Sequence, residues 1–453
     1  MFRTTISSCF AFTSLTALLL AWLCICPPAA AQQEPEAAVQ VPDDEPPLPA
    51  EEPADDAEPM PAAPEAEDAP GADSAPLRPN IGKKPYLIVP VDEDQRRRRN
   101  DVMGMLRNRK FDAGEEEAFD AYYRRYFLPR WTQPANLGSL PLLRRELRNN
   151  LLSGRTGPPH AKLNAIVLDY MGKMASANVH PAARVNAMLI IGELNEVEPV
   201  RAGDAPTALS AALPVLLTTL EDPDQIDPVR FAALVGIIRH AQFGRLTPEA
   251  TLAIQRAMIR LASSPGAPAR SSDGHAWMRS QAAKVLGMLR SAGENGAVPR
   301  LLATLVADDQ LDMLVRCHAA TALGQLNYAG ASGLNAGQVI AALRQLTADA
   351  IRADTDQFDE DPDSFSRRRL KARLVAVHRG LVGGDDEQSR GVAPLATRPE
   401  EQQALSSVRG AVEKLLELFE DKQRGDAELV ETLRTALAGL EPGRSPDTAQ
   451  TAR

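Results

Sequence analysis

From Asp112 onward the apolar positions recur at the three-and-four spacing of α-helices. Phe119, Tyr122, Tyr123, Tyr126 and Phe127 share one helical face, and Asp112 with Glu115 reads as the capping box before it. A second helix at 140–152 carries the stripe Leu140, Leu143, Leu147 and Leu151, with Arg144, Arg145 and Arg148 elsewhere on it. From about residue 158 the chain reads as helix after helix, in pairs. The second helices are the most alike: HPAARVNAMLIIGELN from His180, DPVRFAALVGIIRHA from Asp227, HAWMRSQAAKVLGMLRSAG from His275 and DMLVRCHAATALGQLN from Asp312. Aligned on Arg184, Arg230, Arg279 and Arg316, they place Ala187, Ala233, Ala282 and Ala319 three residues later. Gly192, Gly287 and Gly324 follow eight after the arginine. The second copy has Ile238 there and Gly236 earlier, and a weaker fifth copy carries Arg369 and Ala372.

An arginine in the first turn of a helix faces the unfavourable end of the macrodipole. Its recurrence predicts a fixed partner, expected here to be a neighbouring aspartate such as Asp227, Asp273 or Asp312, each also a candidate N-cap. The small residues predict close approach of an adjacent helix, which offsets the ~1 kcal/mol that a mid-helix glycine costs. Each pair then presents an apolar face that only the next pair covers. The first helices read as 212–222, 247–264 (Thr247 at the N-cap, Pro248 at N1), 297–309 and 337–354.

This pattern resembles the HEAT repeat, an antiparallel helix pair with an arginine and small residues in its second helix, and is similar to HEAT domains of exported bacterial proteins. The resemblance covers 158–383, and 399–441 more loosely. The arginines lie 46, 49, 37 and 53 residues apart, so the units are irregular. It implies an all-α solenoid of about five to six HEAT-like helix pairs and, at family level, a long concave surface for a protein or peptide partner, lined by the second helices.

Ahead of the helices the composition changes twice. Residues 1–31 combine Arg3, an apolar run from Phe10 to Cys26, and small residues Ala29 and Ala31, the pattern of a secretory signal peptide cleaved before Gln32. An uncleaved membrane anchor is the alternative. Residues 32–79 hold 14 acids, one base, 12 prolines and 11 alanines and read as a disordered acidic Pro/Ala-rich linker. With +1 in residues 1–31 and −13 in 32–79, the chain's −10 leaves +2 for residues 80–453. That near-neutral balance and the export pattern argue against a nucleic-acid binder. The organisation expected is signal peptide 1–31, linker 32–79, a basic and aromatic helical cap 80–157, HEAT-like repeats 158–383, a loop 384–398, a C-terminal helix pair 399–441 and a disordered tail 442–453. Within the cap, 83–95 reads as a short strand or a segment packed on the body, and Arg96 to Arg99 as a solvated loop.

Candidate chemistry changes this picture little. Without Cys9, Cys24 and Cys26, Cys317 is the single thiol, expected in a helix core. The six histidines form no metal or protease motif, and no phosphate-binding or nucleophile-elbow sequence is present. No enzyme activity, cofactor, catalytic residue or metal ligand is therefore expected. The acidic run 354–363 reads as an exposed interhelical loop ion-paired to the bases of 367–373. As a calcium loop it has Asp359 where an EF-hand has Gly, and Phe365 where it has Glu. The leading expectation is a non-enzymatic scaffold of the periplasmic or extracellular compartment, with no nucleic-acid partner and no membrane span after cleavage. The alternative is an accessory binding module or enzyme acting on an extracellular polymer through Tyr122, Tyr123 and Trp131, if they are exposed. Buried, those aromatics are the apolar seam that caps the first repeat.

Overall fold

The computed structural model describes residues 85–440, apart from 202, 267–269, 330–332, 385–388 and 422. The predicted signal peptide, acidic linker and C-terminal tail lie outside the described residues. The described residues form a mostly helical, all-α structure: α1 Arg99–Asn108, α2 Glu115–Ala121, α3 Leu140–Gly154, α4 Pro158–Ser176, α5 Pro181–Glu193, α6 Leu213–Glu221, α7 Asp227–Phe243, α8 Pro248–Ser263, α9 Ser272–Met288, α10 Ala297–Ala307, α11 Met313–Gln325, α12 Ala336–Glu360, α13 Arg367–Val382, α14 Pro399–Glu417 and α15 Asp426–Leu440. A two-stranded antiparallel ladder, β1 Asn195–Val197 with β2 Thr207–Ala208, interrupts them between α5 and α6. No helix among the described residues is long and apolar enough to cross a membrane.

The helices pack in two rows. α4 with α5, α6 with α7, α8 with α9, α10 with α11 and α12 with α13 form successive pairs. The second members make a continuous row, α5 on α7, α7 on α9, α9 on α11 and α11 on α13, and α3 extends it by packing on α5. α6 and α10 pack on α8, and α10 on α12, in the other row. One apolar core runs from Val102 to Val412, and a second cluster around Ile351, Leu374 and Leu433 joins α12 and α13 to α15.

The recurring arginine has a backbone carbonyl as its common partner; of the expected aspartates only Asp227 adds an ion pair among the described residues, to Arg230, and Arg316 pairs with Asp349 instead. The arginine Nε donates to the carbonyl of the penultimate residue of the preceding helix in all four copies: Arg184 to Ala175 (3.0 Å), Arg230 to Leu220 (2.9 Å), Arg279 to Ala262 (2.8 Å) and Arg316 to Val306 (3.1 Å). The last carbonyls of a helix lack intrahelical donors and carry the negative end of its dipole, so a guanidinium fits there. The cation that is misplaced on its own helix thus caps its neighbour. Of the three aspartates, only Asp312 is an N-cap, accepting from the Leu314 amide. Ser271 caps α9, the residue before α7 is Ile226, and His180 caps α5. Asp227 instead holds Arg270 through both oxygens, at 2.6 and 2.8 Å, and lies 3.6 Å from Arg230. Replacing Arg279 with methionine, which keeps the apolar stem, is expected to cost about 2 kcal/mol in urea unfolding, the net worth of a charge-assisted hydrogen bond. An unchanged midpoint would mean the carbonyl is satisfied by water.

The glycines act as expected, with one difference. A Cβ on Gly192 would stand 2.7 Å from the Cα of Gly236, and one on Gly236 would stand 3.0 Å from that of Gly192. The second copy's displaced glycine therefore faces its neighbour's glycine across the α5–α7 contact. Gly287 meets Ala322 in the same way, its Cβ position 2.8 Å from that Cα. Ala187, Ala233, Ala282 and Ala319 are all fully buried.

Two segments differ from their sequence reading, and a third takes the second of its two expected forms. Pro85–Val91 is extended and packs on the body without joining a sheet: the Leu87 amide donates to the Asn178 carbonyl (2.8 Å) and the Val89 amide to Thr132 Oγ1 (2.9 Å). Arg96–Arg99 are helical, in a 3-10 turn leading into α1, though solvent-facing as expected. α12 runs on to Glu360, six residues past the predicted stop, so most of the acidic run is helix. The capping box is half formed: the Glu115 carboxylate accepts from the Asp112 amide, while the Asp112 carboxylate binds Lys110.

Candidate functional site

Along the row of second helices, the residues two, five and nine after each aligned arginine lie on one side of the helix, opposite the buried alanine. On α11 these are His318, Thr321 and Gln325, and Leu314 two before the arginine completes the stripe. On α9 the fifth and ninth are Lys284 and Met288. All of them line a groove of about 840 Å³ between α9, α11 and α13. α13 closes its other side with Arg368, Lys371, Ala372, Val375, Ala376 and Arg379. Leu314 is 41% exposed at its mouth. The volume is in the range of ligand-sized clefts.

Its thiol and its imidazole are both perturbed by burial. Burial pushes the Cys317 thiol up to about 11, which disfavours the thiolate a nucleophile needs. Burial likewise lowers the His318 pKa, and its Nδ1 is engaged with the Ser280 carbonyl at 3.1 Å. Adjacent residues on a helix do not face each other, so Cys317 and His318 form no nucleophile–base pair. The groove offers surface and charge. Arg369 and Arg373, both half-buried, are held on the fully buried carboxylate of Asp354, at 2.7 and 2.5 Å. The expected pairing of the acidic run with the following bases therefore forms, between α12 and α13. Asp359 pairs with Arg434 on α15.

A second charged cluster lies at the other end of the row. Glu198, 1% exposed, receives Arg148 of α3 through both oxygens (2.9 and 3.1 Å) and Asn195 Nδ2 (2.6 Å), with His160 Nε2 at 3.6 Å. Burial alone would raise its pKa; the neighbouring His160 imidazole and the hydrogen bonds from Arg148 and Asn195 outweigh that and hold it at about 2. A carboxylate depressed from 4.5 to about 2 contributes roughly 3 kcal/mol above pH 4.5, lost as pH falls towards 2. Glu198→Gln should lower stability by about that amount at pH 7 and flatten the acid limb of a urea-midpoint profile. Parallel acid limbs for the variant and the parent would refute the assignment.

The aromatic face is not a platform. Tyr122, Tyr123 and Trp131 are 1%, 0% and 0% exposed. Tyr122 to Phe127 form a π-helical turn whose rings pack on each other, Phe119 on Tyr123 at 4.9 Å and Tyr122 on Tyr123 edge-on at 5.1 Å. The turn packs on α4 and on the 3-10 turn 93–98. Five aromatics in nine residues share one face and carry too much apolar area to leave in water, and the structure buries that face. The groove residues were not singled out from sequence. Their signal is the i, i+4, i+7, i+11 stripe of Leu314, His318, Thr321 and Gln325, whose mixed polarity hides it beside the apolar core face. No protein-family model and no curated protein matches the chain.

Proposed function

We propose that this protein is a non-enzymatic scaffold: a HEAT-like α-solenoid that holds a protein or peptide partner along its row of second helices. The single observation that carries the reading is the groove between α9, α11 and α13, lined by apolar and cationic side chains that include the exposed Lys284, Leu314 and Arg368. The repeated arginine-to-carbonyl link, four times at the same place in a helix pair, supports the HEAT-like part of the reading. The N-terminal pattern supports a partner in the exported compartment. Burial of Tyr122, Tyr123 and Trp131 takes away the basis for a polymer-binding aromatic face.

The test is site-specific photocrosslinking in the native host, using the full chain with a photoreactive side chain at Leu314 or Thr321, and at exposed Thr304 on α10 as control. A discrete adduct from the two groove positions and none from Thr304 is expected. Adducts from Thr304 alone, or none from the groove, would overturn the proposal.

A further inference from the structure

We propose that the groove between α9, α11 and α13 takes an acidic peptide segment with interspersed apolar side chains. The inference rests on the scaffold reading above and adds the chemistry of the partner. Six cationic side chains line the groove against the single carboxylate of Asp312. Two of them, Arg369 and Arg373, are neutralised from beneath by Asp354, and Lys371 pairs with Glu420 at the surface. Lys284 of α9 and Arg368 of α13 are exposed and make no ion pair among the described residues. They stand on opposite walls, with α11 between them. Asp312 is engaged as the N-cap of α11.

Between the two cations the lining is mostly apolar: Met288, Met313, Leu314, Val375 and Ala376 contribute to it beside the polar stripe His318, Thr321 and Gln325. Methionines adapt their shape to varied apolar partners. A carboxylate-bearing chain would meet Lys284 and Arg368 while its apolar residues cover Leu314 and the methionines. A nucleic acid fits poorly. Its charges recur every ~1.7 Å of duplex and need a continuous cationic track, which this interrupted lining does not supply. A basic peptide would meet two uncompensated like charges.

The experiment uses the full-chain protein and fluorescence anisotropy with roughly 12-residue labelled peptides, long enough to cross three helices when extended. One alternates Glu and Leu, one Glu and Ser, one Lys and Leu, and a thymidine oligonucleotide of equal length is the fourth probe. The Glu/Leu peptide is expected to bind best. Lys284→Glu with Arg368→Glu should weaken it at least tenfold, and Leu314→Ser at least threefold, with helical circular dichroism unchanged. Stronger binding of the Lys/Leu peptide or the oligonucleotide would overturn the proposal. So would equal binding of the Glu/Ser peptide, or Glu/Leu binding that the double variant leaves unchanged. If the Glu/Leu peptide fails while groove crosslinks to a partner are obtained, the acidic chemistry is wrong and the scaffold reading stands. If both fail, the scaffold reading falls with it.

Discussion

Asp354→Ala is expected to destabilise the fold by about 3–5 kcal/mol, because it strands two guanidinium groups at the α12–α13 contact. Asp354 is fully buried and accepts from Arg369 Nε at 2.7 Å and Arg373 Nη1 at 2.5 Å. Burying a carboxylate costs several kcal/mol, and two cations with hydrogen bonds repay that cost; the alanine leaves the cations without the anion. The size of the effect belongs to the broken pair rather than to the pair's net worth. Adding Arg369→Met and Arg373→Met to Asp354→Leu should therefore recover most of the loss. Urea unfolding of the single and triple variants measures both. A loss under about 1 kcal/mol for Asp354→Ala would show that water reaches the site and that the cluster is a surface one.

Asp354 also explains why the fifth copy departs from the other four. In those, the arginine Nε finds the free carbonyl near the end of a first helix that has just stopped. α12 does not stop there; it runs 25 residues to Glu360, so its mid-helix carbonyls are already bonded within the helix. A buried side-chain carboxylate supplies the acceptor instead. The long α12 then serves α13, α14 and α15 together, closing the C-terminal end with the second apolar cluster.

Gly324→Ala is expected to cost about 3 kcal/mol, the upper end of an overpacked helix contact. The added Cβ would run into the carbonyl of Arg379 and stand 3.0 Å from the Cα of Gly380. Both obstacles are backbone of α13, which cannot rotate away as a side chain does. Relief requires α13 to move off α11, and that also opens the groove between them. Gly410→Ala is the contrasting case. A Cβ there meets nothing within 4 Å, so the helix-propensity gain of about 1 kcal/mol should appear as added stability. Thermal melts of the two variants should shift in opposite directions. Shifts of the same sign would mean that helix propensity, not helix contact, governs both sites.

How much of this was legible in the sequence depends on how local the determining interaction is. Helical periodicity is set within a few residues, so the helices and their buried alanines were readable, as were the Thr247 cap with Pro248 and the Leu140 to Leu151 stripe. The repetition of the arginine and the small residues was visible as a pattern, and the need for close helix approach followed from side-chain size alone. The arginine's partner did not. A backbone carbonyl leaves no mark in the residue alphabet, and its position depends on where the preceding helix ends. The same holds for Gly236, which appears out of register by count yet faces Gly192 across two helices. The extension of α12 was missed because Asp354 and Asp359 read as loop residues until their cationic partners on α13 and α15 are in place. The sequence by itself determined the helical class, the pairing and the small-residue seam. Only the tertiary structure decided which aromatics are covered, which charges are spent on each other, and where α9, α11 and α13 leave a groove, because each depends on residues tens of positions apart meeting in space.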